Sequence, residues 1–278
     1  MYTRYVVGVD GSSPSRAAAQ WAAARALSEG SSLVLAHVEE PEAGMMGQDF
    51  ARAELKDGGE ILAGLSAPLM GSGLEVSTVL LSGPVAWALA QFAEPRDVLV
   101  IGTHKTGFLH GRVLGSRSVQ IAASARSSVA VIPDIDSRFR RGVVVGVDGH
   151  DDAVPVALIA ASEAHARGEQ LSVIRSIGSA AGAPDELLRS PAVLAVRDAF
   201  PGLVVNTRES RRGPAEALLD AARDKALLVI GPGTADHAGT VIGTVLHDVL
   251  LNVNAPVLVA RAMTAYAHSV TQHDSDAR

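Results

Sequence analysis

Two aspartate–glycine pairs, Asp10-Gly11 and Asp148-Gly149, each close a short apolar run, Tyr5–Val9 and Val143–Val147. A carboxylate at such a strand end, with a glycine free to turn the chain at once, can accept hydrogen bonds from a ribose hydroxyl or an adenine amine. A second constellation begins where Gly102 ends Val98–Ile101 and opens Thr103–Leu114, which closes on Gly115-Ser116 ahead of a helical pattern. Glycines there let backbone N–H groups approach an oxyanion, and the helix N-terminus favours negative charge. Ser116 adds a hydroxyl donor. Each residue also has a plainer reading: Asp10 as a turn or N-cap residue, the glycines as loop punctuation, Ser116 as an N-cap. A lone glycine-rich loop is weak evidence. Spacing, and its return in the second half of the chain, weighs for a site.

The return is extensive. Tyr5-Val6-Val7-Gly8-Val9-Asp10-Gly11 comes back as Val143-Val144-Val145-Gly146-Val147-Asp148-Gly149. Ser82-Gly83-Pro84-Val85 matches Arg212-Gly213-Pro214-Ala215, and Val98–Gly102 matches Leu227–Gly231. Gly115-Ser116 matches Gly243-Thr244, and Ser128–Ile132 matches Pro256–Ala260. Landmarks kept in one order identify a duplicated domain.

The elements that position these residues follow from pattern. The strands are continuous apolar runs rich in valine and isoleucine, which suits parallel strands covered on both faces. Helical patterns alternate with them, so each copy reads as an α/β, doubly wound parallel sheet with right-handed crossovers. For copy one the expectation is strands at 5–9, 33–38, 75–80, 97–102 and 128–132, with helices at 14–29, about 48–70, 84–94 and 116–124. The first helix shows Ala17, Trp21, Ala24 and Leu27 on one apolar stripe, after the start signals Ser12, Ser13 and Pro14. The domains are expected at 1–136 and 141–263, joined by a polar linker and followed by a frayed tail at 264–278.

Bulk composition narrows the function classes. The 278 residues are 47% hydrophobic and 19% charged, with a net charge of −6 and no cysteine. Disorder, disulfides and cysteine-held metals are thereby excluded. Nothing resembles the clustered Lys/Arg footprint that nucleic acid or an anionic membrane requires. The opening MYTRYVVGVDG enters a strand directly and reads as no signal peptide, and no apolar run approaches membrane-helix length. The expectation is a soluble, cytoplasmic protein.

The order strand–Asp-Gly–helix, then strand–Gly–loop–Gly-Ser–helix–strand, resembles the universal stress protein family in its tandem form, over about residues 3 to 262. The resemblance implies an adenine nucleotide alpha-hydrolase-like fold, with the two copies forming a pseudo-two-fold pair through their last strands and homodimers as a wider assembly. Family members that bind ATP are similar in carrying G-x2-G-x9-G-[S/T]. Here Gly102-x2-Lys105-x9-Gly115-Ser116 keeps the spacing, with Lys105 where the second glycine is usual and Gly107 just beyond. The implied cofactor is ATP, with Mg2+ arriving on its phosphates. Asp10 would meet base or ribose beside Gly8, Val38 would line the adenine slot, and Gly102, Gly115 and Ser116 would hold phosphates. Lys105 and Arg117 are added phosphate partners. Copy two departs further: Gly231-Pro232-Gly233-x9-Gly243-Thr244 is one residue short, and Pro232 lacks an N–H. Asp148, Gly231, Gly233, Gly243 and Thr244 therefore read as a weak or degraded counterpart, and copy one as the better site.

Other chemistries lack their motifs. There is no G-x-x-x-x-G-K-[S/T], no G-x-G-x-x-G in the first turn and no G-x-S-x-G elbow. His104, His110, His237 and His247 form no ligand pattern and read as scattered loop histidines. No general base or nucleophile stands out, so the expected role is a nucleotide-responsive regulator or sensor in stress adaptation, with at most slow ATP hydrolysis. The competing readings are an interaction scaffold without nucleotide and a nucleotidyl-transfer enzyme.

Overall fold

The computed structural model describes residues 2, 4–40, 48–103, 117–136, 138–148, 153–178, 186–233 and 242–261, apart from the side chains of 48–56. The chain divides into two units after Ile135. In the first, β1 (Arg4–Gly8), α1 (Ser13–Glu29), β2 (Ser32–Glu39), α2 (Gln48–Ser66), β3 (Val76–Ser82), α3 (Val85–Phe92), β4 (Val98–Thr103), α4 (Arg117–Ser124) and β5 (Ser128–Pro133) alternate. The second carries β6 (Val143–Gly146), α5 (Val154–Ala166), β7 (Leu171–Ser176), α6 (Pro191–Ala199), β8 (Val205–Ser210), α7 (Pro214–Ala222), β9 (Leu227–Ile230), α8 (Thr244–Leu251) and β10 (Val257–Val259).

Within the first unit the strand order is β3-β2-β1-β4-β5, with every neighbour parallel. The second unit repeats that order as β8-β7-β6-β9-β10. Each is the doubly wound sheet expected from the alternation. The order reverses between β1 and β4 and again between β6 and β9, which places a crevice at the carboxyl ends of those strands. The central strands are apolar throughout: Val98–Ile101 and Leu227–Ile230 are buried along their length. The edge strands β3 and β8 expose Ser77, Thr78, Asn206, Arg208 and Glu209, polar side chains that discourage pairing by another chain.

Helices cover both faces. Gly8 and Ile101 are register partners, and a Cβ on Gly8 would meet Leu89 of α3. Gly102, one residue on and therefore facing the other way, backs onto Pro14 of α1.

Two features of the sequence reading are corrected. The buried face of α1 is Ala18, Ala19, Ala22, Ala23 and Ala26, not the stripe through Ala17 and Leu27, and Leu27 is 52% exposed. Alanine lies on both sides of this helix, so periodicity could not choose a face. The narrow alanine face is the one that lets α1 sit close to β4. The second helix ends at Ser66 rather than near 70, because Pro68 cannot continue it and the chain tightens into a turn of 3-10 helix at Ala67–Leu69.

Candidate functional site

The first crevice is built upward from the turn after β1. Gly11 adopts φ 77°, a left-handed conformation that favours glycine. The turn delivers Ser12 to the start of α1, where its Oγ accepts from Ser15 N at 3.3 Å as an N-cap. Asp10 Oδ1 accepts from Ser12 N at 3.0 Å. The turn role of Asp10 is thus realised, and the same carboxylate lines the cavity. Burial pushes the Asp10 carboxyl up, but hydrogen bonds from Ser12 and Ser15 outweigh it and hold the group below the usual carboxylate value.

A carboxyl depressed on folding adds stability that is present above its unfolded value, near pH 3.9, and lost as pH falls through the lower folded value. Asp10→Asn is therefore expected to be less stable than wild type at neutral pH. The gap should close under strongly acid conditions, as read by urea unfolding at several pH values. A gap that widened on acidification would contradict this electrostatic account.

Around that turn the strand ends and two helix starts enclose a cavity of about 230 Å3. Gly8, Asp10, Val38, Gly102 and Arg117 all line it, so these candidate residues come together. Lys105, Gly107, Gly115 and Ser116 lie outside the described residues, as do His104 and His110. Gly8 and Gly102 have packing reasons to be glycine: a Cβ would come within 2.8 Å of Leu89 Cδ1 at the first and 2.3 Å of the Pro14 backbone at the second.

Sequence reasoning missed His37, one residue before Val38, and Glu40, just past the end of β2, both of which line the cavity. His37 Nδ1 lies 2.7 Å from Val9 O; a carbonyl only accepts, so Nδ1 carries the proton. Glu40 Oε1 accepts from Val85 N at 3.0 Å, and its Oε2 stands 3.6 Å from Arg117 Nη2. One carboxylate thereby joins the end of β2 to the starts of α3 and α4.

The second crevice repeats the plan. Gly146 meets Leu218 of α7 as Gly8 meets Leu89, with a Cβ position 2.9 Å from Leu218 Cδ2. Asp148, Gly231, Gly233, Gly243 and Thr244 all line one cavity of about 660 Å3. Its size ranks above that of the first cavity, the reverse of the ranking by motif. Gly233 adopts φ 76° and packs against Gly243, whose N–H donates to Pro232 O at 3.0 Å. Gly149, His150, Asp151, Asp152 and His237 lie outside the described residues, and His247 sits on α8 beside Asp248. Among the described residues no group of three or more His, Asp or Glu is arranged to hold a metal, and no helix is long and apolar enough to cross a membrane.

Comparison with known proteins points one way. A model of the universal stress protein family matches residues 1–133. A universal stress protein of Mycobacterium tuberculosis is 28% identical over 300 residues, covering 92% of this chain and 94% of its own. One from Mycolicibacterium smegmatis is 28% identical over 286 residues, covering 92% and 96%. The crystal structure of a universal stress protein from Archaeoglobus fulgidus superposes with a TM-score of 0.75 at 15% identity, over 93% of this chain and 96% of that one, a likeness of fold.

Proposed function

Because the chain belongs to the universal stress protein family in its tandem form, we propose that its first domain binds ATP and that it works as a nucleotide-responsive regulator or sensor in stress adaptation. The observation that carries the reading is the meeting of Asp10, Val38 and Arg117 on one cavity at the switch in strand order. Each supplies a different part of nucleotide recognition. Asp10, held ionised with one oxygen engaged in the turn, has acceptor capacity for a ribose hydroxyl or the base. Val38 offers an apolar wall for the adenine. Arg117, at the first turn of α4, combines a guanidinium with a helix N-terminus, a pairing suited to phosphate.

The cavity holds the nucleoside end, and the phosphates extend over Arg117. Magnesium would ride on those phosphates with water completing its shell. Calorimetry on the full chain tests the reading. ATP is expected to bind the wild type at the first domain. Asp10→Ala combined with Arg117→Ala should weaken that binding by about 10- to 100-fold, the loss of charge-assisted hydrogen bonds worth roughly 1.5–3 kcal/mol. Wild-type protein that gave no heat with ATP, and released no adenine nucleotide on denaturation, would end it in favour of a nucleotide-free scaffold.

A further inference from the structure

We propose that the crevice of the second domain is a separate site for an uncharged purine nucleoside and that it disfavours the phosphorylated form. The inference rests on the nucleotide reading of the strand-end crevice, carried to the second copy. It is driven by what changes between the copies at matched positions. The strand-end carboxylate is kept: Asp148 stands where Asp10 stands, exposed and lining the cavity. A carboxylate in that place can accept from a ribose diol. The charged rim is not kept. Arg117 is matched by Val245, and Glu40 by Gly178.

The remaining groups point the same way. Val147, Val156, Ile174, Leu218, Ile230 and Leu246 form apolar walls, and Asp148, Ser176 and Thr244 are the polar side chains among the described lining residues. No Lys or Arg is among them. Arg175, between two lining residues, alternates away from Ile174 and Ser176 along β7 and pairs with Glu186 at 3.0 Å and Glu209 at 3.9 Å. Among the described residues after β9, two donors are missing: Pro232 has no N–H and that of Gly243 is given to Pro232 O. The start of α8 still attracts an anion weakly. Against it stand the Asp148 carboxylate and the cost of placing phosphate beside apolar walls without a cation. A volume of about 660 Å3 admits a nucleoside with room to spare and sits within the ~300–1,000 Å3 of ordinary small-molecule sites.

The experiment uses the full chain with Asp10→Ala and Arg117→Ala, which weaken the first crevice, titrated separately with adenosine and with ATP. One equivalent of adenosine should bind, at least tenfold more tightly than ATP. Adding Asp148→Ala should remove the adenosine heat. Adding Val245→Arg instead should raise ATP affinity by about tenfold, the reach of one charge-assisted contact. That gain keeps the test decisive if the Asp148 variant fails to fold. Equal or tighter binding of ATP in the doubly substituted chain, absence of adenosine binding, or adenosine binding indifferent to Asp148→Ala would each overturn the inference. Failure of the first-domain reading looks different: wild-type ATP binding would not depend on Asp10 and Arg117, while the adenosine result stood.

Discussion

Gly102→Ala is expected to destabilise the first domain by about 3 kcal/mol, at the upper end of ordinary overpacking. The new Cβ would lie 2.3 Å from both C and O of Pro14 and 2.7 Å from Ser15 N. All of these are backbone atoms in the first turn of α1, so no side-chain rotation relieves the contact. The helix start must move, and the Ser12 cap and the Asp10 turn move with it. Nucleotide binding in the first domain should therefore fall together with stability. Gly8→Ala provides the control. Its clash, 2.8 Å from Leu89 Cδ1, is with the far end of a flexible side chain, and the cost should stay under about 1.5 kcal/mol. Urea unfolding of the two variants tests the contrast, and a Gly102→Ala protein within about 0.5 kcal/mol of wild type would refute the packing argument.

Arg25→Ala should cost a similar amount, about 3 kcal/mol, for a different reason. Arg25 is buried on α1, where its Nε donates to the hydroxyl of fully buried Tyr5 at 3.1 Å and its Nη2 to Glu29 Oε1 at 3.2 Å. Tyr5 itself donates to the Glu29 carboxylate at 2.9 Å, and the guanidinium lies 4.7 Å from the Trp21 ring centroid. Truncation removes the cation, leaves Glu29 with its charge uncompensated in that network, and opens a void beside two aromatic rings. Arg25→Met with Glu29→Gln, which removes both charges and keeps the volume, should recover most of the loss. If the double variant is as unstable as Arg25→Ala, the net gain from the ionic hydrogen bonds and the ring contact, rather than a void or an uncompensated charge, explains the loss.

Much of the fold was legible because its strands are unbroken apolar runs and because Tyr5–Gly11 returns as Val143–Gly149. A duplicated string fixes element order twice over, so a local ambiguity in one copy is resolved by the other. The face of α1 was not legible. In a helix of alanines the apolar signal has no direction, and the choice is made by the close approach of Pro14 to Gly102, a contact between residues far apart in sequence. The site divides in the same way. Asp10 and Gly8 were readable from a turn motif, while His37 and Glu40 enter through the strand end that β2 presents beside β1, which spacing alone does not encode. Motif spacing ranked the second crevice as degraded. Its cavity is nonetheless the larger of the two, with Val245 lining it where Arg117 lines the first.

The glycine–leucine contacts at Gly8–Leu89 and Gly146–Leu218 set the depth of each crevice from below. The groups that differ at its mouth, Val38 against Ser176, Glu40 against Gly178 and Arg117 against Val245, are all at least partly solvent-facing. Foldability and ligand preference are thus assigned to different sets of atoms. A chemist could exchange the mouths of the two domains by a handful of surface substitutions, retuning what each accepts, while the sheet beneath went on assembling as before.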